Sequence, residues 1–105
     1  MTHLAQQLTK YYHREKTKLV FNKTYTLSQL SLEMYEKLGC QQVDPSVVSR
    51  VLTGKRLFTV KQLEVFCEIL GIQGAKRTKL FQALLHDYLL KKGYDANLLL
   101  KNVIN

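Results

Sequence analysis

The amino-acid sequence predicts an all-α fold, a compact bundle of about five to six helices. Three observations carry that expectation. Two stretches open with complete capping boxes, Thr26-Leu27-Ser28-Gln29 and Thr59-Val60-Lys61-Gln62. In each the Thr hydroxyl accepts from a first-turn N–H and the Gln reaches back to the cap. Apolar residues recur at spacings of three and four behind both boxes. Finally, one Pro and five Gly in 105 residues leave little material for a many-turned β architecture.

In chain order, Thr2 can cap a first helix running to about Lys18, with Leu4, Leu8, Tyr11, Tyr12 and Leu19 spaced for one buried side. Asn22 to Tyr25 reads as a connector. Tyr25 and Leu30 then sit at hydrophobic-staple positions, and Leu27, Leu30, Met34 and Leu38 form the stripe of a helix over about 27–38, ending near Gly39. Asp44 suits an N-cap, Pro45 the first helical position and Gly54 the exit of a helix over about 45–53. Phe58 and Leu63 staple the next helix, about 60–70, whose stripe is Leu63, Phe66, Cys67 and Leu70 and whose stop is Gly71. A fifth helix fits Ala75 to Lys92, closed by Gly93, with Leu80, Leu84, Leu85, Tyr88 and Leu89 apolar. A last short one fits Ala96 to Ile104 behind Asp95.

Length and composition limit what such a bundle can be. A chain of 105 residues is the size of one domain, and 46% hydrophobic with 23% charged residues is a globular composition. Sixteen Lys plus Arg against eight Asp plus Glu give a net charge of +8. That balance fits a polyanionic partner, nucleic acid or an anionic membrane surface, and also a merely soluble basic protein. Cys40 and Cys67 form no C-x-x-C, so reduced thiols in a cytosolic protein are expected. The opening MTHLAQQLTK is polar where a signal peptide needs an apolar run, and no stretch nears the roughly 18 apolar residues of a membrane span. The expectation is a soluble, cytoplasmic protein with no membrane partner.

Catalytic and metal-binding classes find no support in the pattern. His3, His13 and His86 have no partner at ligand spacing, so no metal site is expected. Gly54-Lys55 lacks the rest of a phosphate-binding loop, and no nucleophile–base pair is visible. The chain reads as non-enzymatic, with no cofactor and no small-molecule substrate.

The segment from Pro45 to Thr53 carries the functional signal. Val47, Val48, Val51 and Leu52 share one apolar side, and Ser46, Ser49, Arg50 and Thr53 share the other. Small hydroxyls let a helix approach the floor of a major groove, and Arg can bind guanine O6 and N7 with two bonds. The helix N-terminus offers free N–H groups to a phosphate. From Pro45 to Leu63 the charged residues are Arg50, Lys55, Arg56 and Lys61, all basic. An ordinary solvated helix and loop would account for any one of these features, whereas their order argues for helix-turn-helix DNA recognition.

Here the sequence resembles the phage repressor/Cro-type family, also described as Xre-like or lambda-repressor-like. Ser49-Arg50-Val51-Leu52-Thr53-Gly54 looks like the run that ends the family's recognition helix. Leu63 to Ile72 is similar to its next helix, and Thr26 to Leu32 resembles the start of its scaffold helix, with Gln29 near the family's usual glutamine. The resemblance spans about Thr26 to Ile72. The chain departs from the pattern at Leu32 to Val43, which is about a turn or more longer.

The resemblance implies a lambda-repressor-like helix-turn-helix that binds double-stranded DNA sequence-specifically, as a repressor-like transcriptional regulator and a homodimer. It implies base contacts at Pro45, Ser46, Ser49 and Arg50, where Pro45 can offer only apolar contact, for example to a thymine methyl. It implies phosphate contacts at Gln29, Thr53, Lys55, Arg56 and Thr59. Residues 1–74 would be the DNA-binding domain and 75–105 a helical extension, either a dimerisation element or a link to a further domain. The apolar Leu98, Leu99, Leu100, Val103 and Ile104 fit core packing or a dimer interface equally. Lys10, Arg14, Lys16, Lys18 and Lys23, and likewise Lys76, Arg77 and Lys79, can line a DNA backbone or solvate an exposed face. The alternative function is a protein-interaction or antitoxin-like docking module on the same scaffold; exposed aromatics and leucines on the 45–53 helix would favour it.

Overall fold

Helix starts fall where the capping signals stand in the computed structural model, which describes residues 2–16, 18–21, 25–39 and 43–93. The order is α1 (His3–Leu8), a 3-10 turn (Thr9–Tyr11), β1 (Tyr12–Glu15), β2 (Lys18–Phe21), α2 (Leu27–Lys37), α3 (Pro45–Leu52), α4 (Val60–Leu70) and α5 (Gly74–Lys91). Both capping boxes are complete. Gln29 N donates to Thr26 Oγ1 at 3.3 Å and Thr26 N to Gln29 Oε1 at 3.0 Å. The Thr59–Gln62 pair matches at 3.1 and 2.9 Å.

The chain is mostly helical but not all-α. The first helix stops at Leu8 instead of running to Lys18, and an antiparallel hairpin follows, with Tyr12 opposite Phe21 and Glu15 opposite Lys18. The reason lies in the stripe: after Leu4, Leu8 and Tyr11, the next helical positions on that side are Glu15 and Lys18, which have nothing apolar to bury. Pairing the strands instead brings Tyr12 and Phe21 to one face, their rings 5.5 Å apart, with Phe21 buried edge-on against Phe66 at 6.1 Å. Phe21 N then donates to Tyr25 O at 2.7 Å, leading the hairpin into α2. Cys40, the Asn22–Thr24 part of the connector, and the helix expected over Ala96–Ile104 lie outside the described residues.

One core joins the elements. Leu4 and Leu8 of α1, Leu30 and Met34 of α2, Val48 and Val51 of α3, Leu63 and Phe66 of α4, and Leu80 and Leu84 of α5 are all buried in it. Full burial of each such side chain contributes about 1.5–3 kcal/mol. Cys67 belongs to the same core, and burial pushes its thiol up to about 11. Where a 1–74 unit with a separate extension is expected, α5 is built into the core that α1 to α4 share, beginning at Gly74. Its first-turn Arg77 lies over the Phe81 ring at 4.5 Å, which gives that cation a local role. No helix among the described residues is long and apolar enough to cross a membrane.

α1 and α5 are tied by one carboxylate. Asp87, buried on α5, accepts from His3 N at 2.9 Å through Oδ1 and from Leu4 N at 2.8 Å through Oδ2. Thr2 Oγ1 accepts from Ala5 N at 3.0 Å, so the first three amides of α1 are all satisfied. At the next residue of α5, the Tyr88 hydroxyl donates to Phe58 O at 2.7 Å. Replacing Asp87 by Ala would strand two N–H groups and is expected to cost roughly 1.5–3 kcal/mol. Thermal unfolding followed by circular dichroism should register this as a fall of roughly 4–8 °C per kcal/mol; an unchanged midpoint would mean that the carboxylate is incidental to the fold.

Candidate nucleic-acid interface

α3 divides as its spacing requires. Val47, Val48, Val51 and Leu52 are buried, while Pro45, Ser46, Arg50 and Thr53 are exposed. Ser49 differs from the other candidate base-contacting residues: it is half-buried, at the edge of the open face. Among the described residues, Arg50 joins none of the close ion pairs, although its charge helps to lower the Asp44 carboxyl, and it is exposed.

The start of α3 is not the open anion site that its N–H groups alone would make. Asp44 caps it, accepting from Val47 N at 3.0 Å and from the Ser46 hydroxyl. These two bonds, the Ser46 one foremost, hold the Asp44 carboxyl below the usual carboxylate range. A negative cap fills the place where a phosphate would have docked. Ser46, whose O–H is committed to the Asp44 carboxylate, presents oxygen lone pairs rather than a donor.

The exit of α3 is fixed by a Schellman turn. Lys55 N donates to Arg50 O at 2.9 Å and Gly54 N to Val51 O at 3.1 Å, with Gly54 at φ 80°. The positive φ is a conformation that glycine adopts without strain. Past it, Lys55 and Arg56 are exposed, and buried Phe58 anchors the stretch of chain that carries them. Thr53 Oγ1 is turned back onto Arg50 O at 3.2 Å. At the next helix, Thr59 Oγ1 accepts from Gln62 N, which leaves its hydroxyl proton for an outside acceptor. Gln29 gives its carbonyl oxygen to Thr26 N, so its amide NH2 is the group left to donate.

Two concavities bear on these residues. One, of about 510 Å³, is bounded by Gly54, Lys55, Arg56 and Leu57 together with Thr2, His3, Asp87, Leu90 and Lys91. It adds Lys91 to the basic exit turn, a partnership across the fold that no local sequence signal announces. The second, of about 560 Å³, is bounded by Arg14, Lys18, Leu19, Thr26, Leu27, Ser28 and Ser49. Gln29, Thr53 and Thr59 line neither.

Histidine spacing in the sequence gives no sign of a cluster, yet the fold brings His3, His86 and Asp87 together, one ligand-type atom from each within 4.8 Å. The His3 and His86 rings meet at a tilt of 55° with centroids 3.9 Å apart, and His3 Nδ1 lies 3.1 Å from Asp87 Oδ1. Because both Asp87 oxygens already accept amides of α1, the arrangement works as a clamp between helices. Exposed apolar side chains are Leu32 and Tyr35 on α2, Val60 on α4, and Leu85 and Leu90 on α5, of which Leu90 borders the first concavity.

The lowered Asp44 carboxyl has a pH signature. Its contribution to stability is complete above the ordinary Asp value of about 3.9 and is lost as pH falls through the lower folded-state value. Asp44→Asn keeps a good cap without the charge. Urea titrations between about pH 2 and pH 7 should therefore show a shallower acid-side loss of stability in the variant; identical acid limbs would refute the assignment.

The chain matches no family model, no curated protein and no solved structure.

Proposed function

We propose that this chain binds double-stranded DNA sequence-specifically through α3 and acts as a cytoplasmic, repressor-like transcriptional regulator. In this reading α2 and α3 form a lambda-repressor-like helix-turn-helix. The observation that carries it is the outer face of α3: small side chains and one exposed Arg, followed at once by a turn holding Lys55 and Arg56 outward.

A helix with its side chains is about 10–12 Å across and the major groove about 12 Å wide, so bulk on the outer face would hold the helix away. Ser46 and Pro45 satisfy that limit, and Arg50 supplies the fork that fits guanine. Ser46, as an acceptor beside the Asp44 carboxylate, suits the amino group of cytosine or adenine. Pro45 is left to apolar contact with a thymine methyl. Lys55 and Arg56 lie on the backbone, with Thr59 and the Gln29 amide as further phosphate donors, while the Thr53 hydroxyl donates to Arg50 O instead. The reading includes a two-fold homodimer with half-sites about 10–10.5 base pairs apart or a multiple of it. It requires no cofactor, metal or catalytic group.

A docking module for another protein is the second reading, favoured by exposed Leu32 and Tyr35 three residues apart on α2.

The test separates Arg50 from Arg56, which share a charge but not a place. Arg50→Ala should cost about 1–3 kcal/mol on the preferred duplex and relax preference at one base pair. Arg56→Ala should weaken all sequences about equally and reduce the slope of log K against log salt by about one unit. Binding-site selection followed by salt titration on matched and scrambled duplexes reads both. Failure of the unaltered protein to bind any duplex at low salt would hand the function to the docking reading. A base preference that depends on Arg56 and not on Arg50 would displace α3 as the reading helix.

A further inference from the structure

We propose that the β1–β2 hairpin is a second backbone-binding arm, in which Arg14 and Lys18 take a phosphodiester of the same duplex that α3 reads. The proposal rests on the DNA-binding reading above and adds a contact to it.

Strand register decides where these cations stand. Tyr12 pairs with Phe21, His13 with Val20, Arg14 with Leu19 and Glu15 with Lys18. Alternation therefore puts Tyr12, Arg14, Leu19 and Phe21 on one face. Phe21 and Tyr12 fix that face to the core, Phe21 fully and Tyr12 in part. Arg14 lies on the same face two residues further out, past the apolar contact, so it borders the body of the protein while remaining exposed.

The space that it borders is the cleft of about 560 Å³ between the hairpin and the first turn of α2. Across from Arg14 and Lys18 stand Ser28 and Ser49, and no carboxylate lines the cleft. In the strand register Lys18 pairs with the hairpin's own acid, Glu15, on the opposite face, where Glu15 lies 3.6 Å from His13 Nε2, and Lys18 also lines the cleft. Among the described residues neither Arg14 nor Lys18 belongs to an ion pair. Arg14, with Lys18 beside it, hydroxyl donors and no carboxylate in the cleft lining match a phosphodiester, whose two free oxygens accept from a guanidinium fork and from O–H groups. Ser49 is the geometric link: it lines this cleft and belongs to the same helix as Arg50. A duplex lying against the outer face of α3 would bring a strand of its backbone over the cleft mouth.

Arg14→Gln and Lys18→Gln, alone and combined, test the arm on the full chain, with circular dichroism verifying the fold. The double variant should weaken binding to every sequence about equally and make the salt slope shallower by about two units, one for each cation. The base preference set by Arg50 should stay as it is. Scanning single methylphosphonate substitutions along the duplex should reveal, outside the base pairs read by α3, a phosphate whose neutralisation weakens the unaltered protein but no longer weakens the double variant. Lys37→Gln serves as the charge control, since Lys37 already pairs with Glu68 at 3.2 Å. An unchanged slope in the double variant, with Arg56→Ala still effective, would overturn the arm and leave the recognition helix standing. An equal loss from Lys37→Gln would overturn it as a general charge effect. A cleft that holds only free phosphate would leave the slope untouched and would overturn the arm likewise. Absence of duplex binding by the unaltered protein would remove both proposals together.

Discussion

Phe66, in the middle of α4, packs between two rings that belong to otherwise unconnected parts of the surface. Phe58 meets it at 5.5 Å and Phe21 edge-on at 6.1 Å. Phe21 is the root of the hairpin, and Phe58 ends the stretch that carries Lys55 and Arg56 past α3. The Tyr88 hydroxyl, bonded to the Phe58 carbonyl, adds α5 to the same junction. Aromatic burial of this kind is worth several kcal/mol per ring, far more than any exposed charge contact on the surface above it. Positions of the basic side chains are thus decided by ring packing beneath them, and a change at Phe66 would move both cationic segments without touching either.

What the sequence made legible was local. Capping boxes at Thr26 and Thr59, the Asp44-Pro45 start and the Gly54 and Gly71 exits each resolve within about one helical turn, and each stands where its pattern puts it. The two faces of α3 follow from period alone. The hairpin escaped because its turn contains Lys16 at φ 56°, where a glycine or Asn-Gly pair would have announced a reversal. Its strands read as the continuation of the helical stripe of Leu4, Leu8, Tyr11, Tyr12 and Leu19. The joining of His3 to Asp87, and of Lys91 to the Lys55–Arg56 turn, spans most of the chain and has no local signature at all.

Asp44 shapes the candidate interface as much as the cations do. A carboxylate at the entry of α3 repels backbone phosphate and attracts amino groups, while Lys55 and Arg56 past the exit do the reverse. Under the proposed reading, polarity along eight residues of helix would orient the helix in the electrostatic field of DNA before any specific bond forms. Charge order, and not net charge alone, distinguishes this surface from that of an ordinary basic protein.

The carboxylate of Asp87 joins residues 84 positions apart in the chain. Closing a loop of that length has an entropic cost that must be met before the contact stabilises anything, so contacts between distant segments tend to form after local helices and turns. Interactions made only after the folding barrier change the rate of escape from the native state and leave the rate of entry nearly unaltered. The junction of α1 with α5 is, on this logic, a kinetic lock: its strength is felt in how long the folded molecule lasts, and the unfolding arm of a chevron is where that lifetime is written.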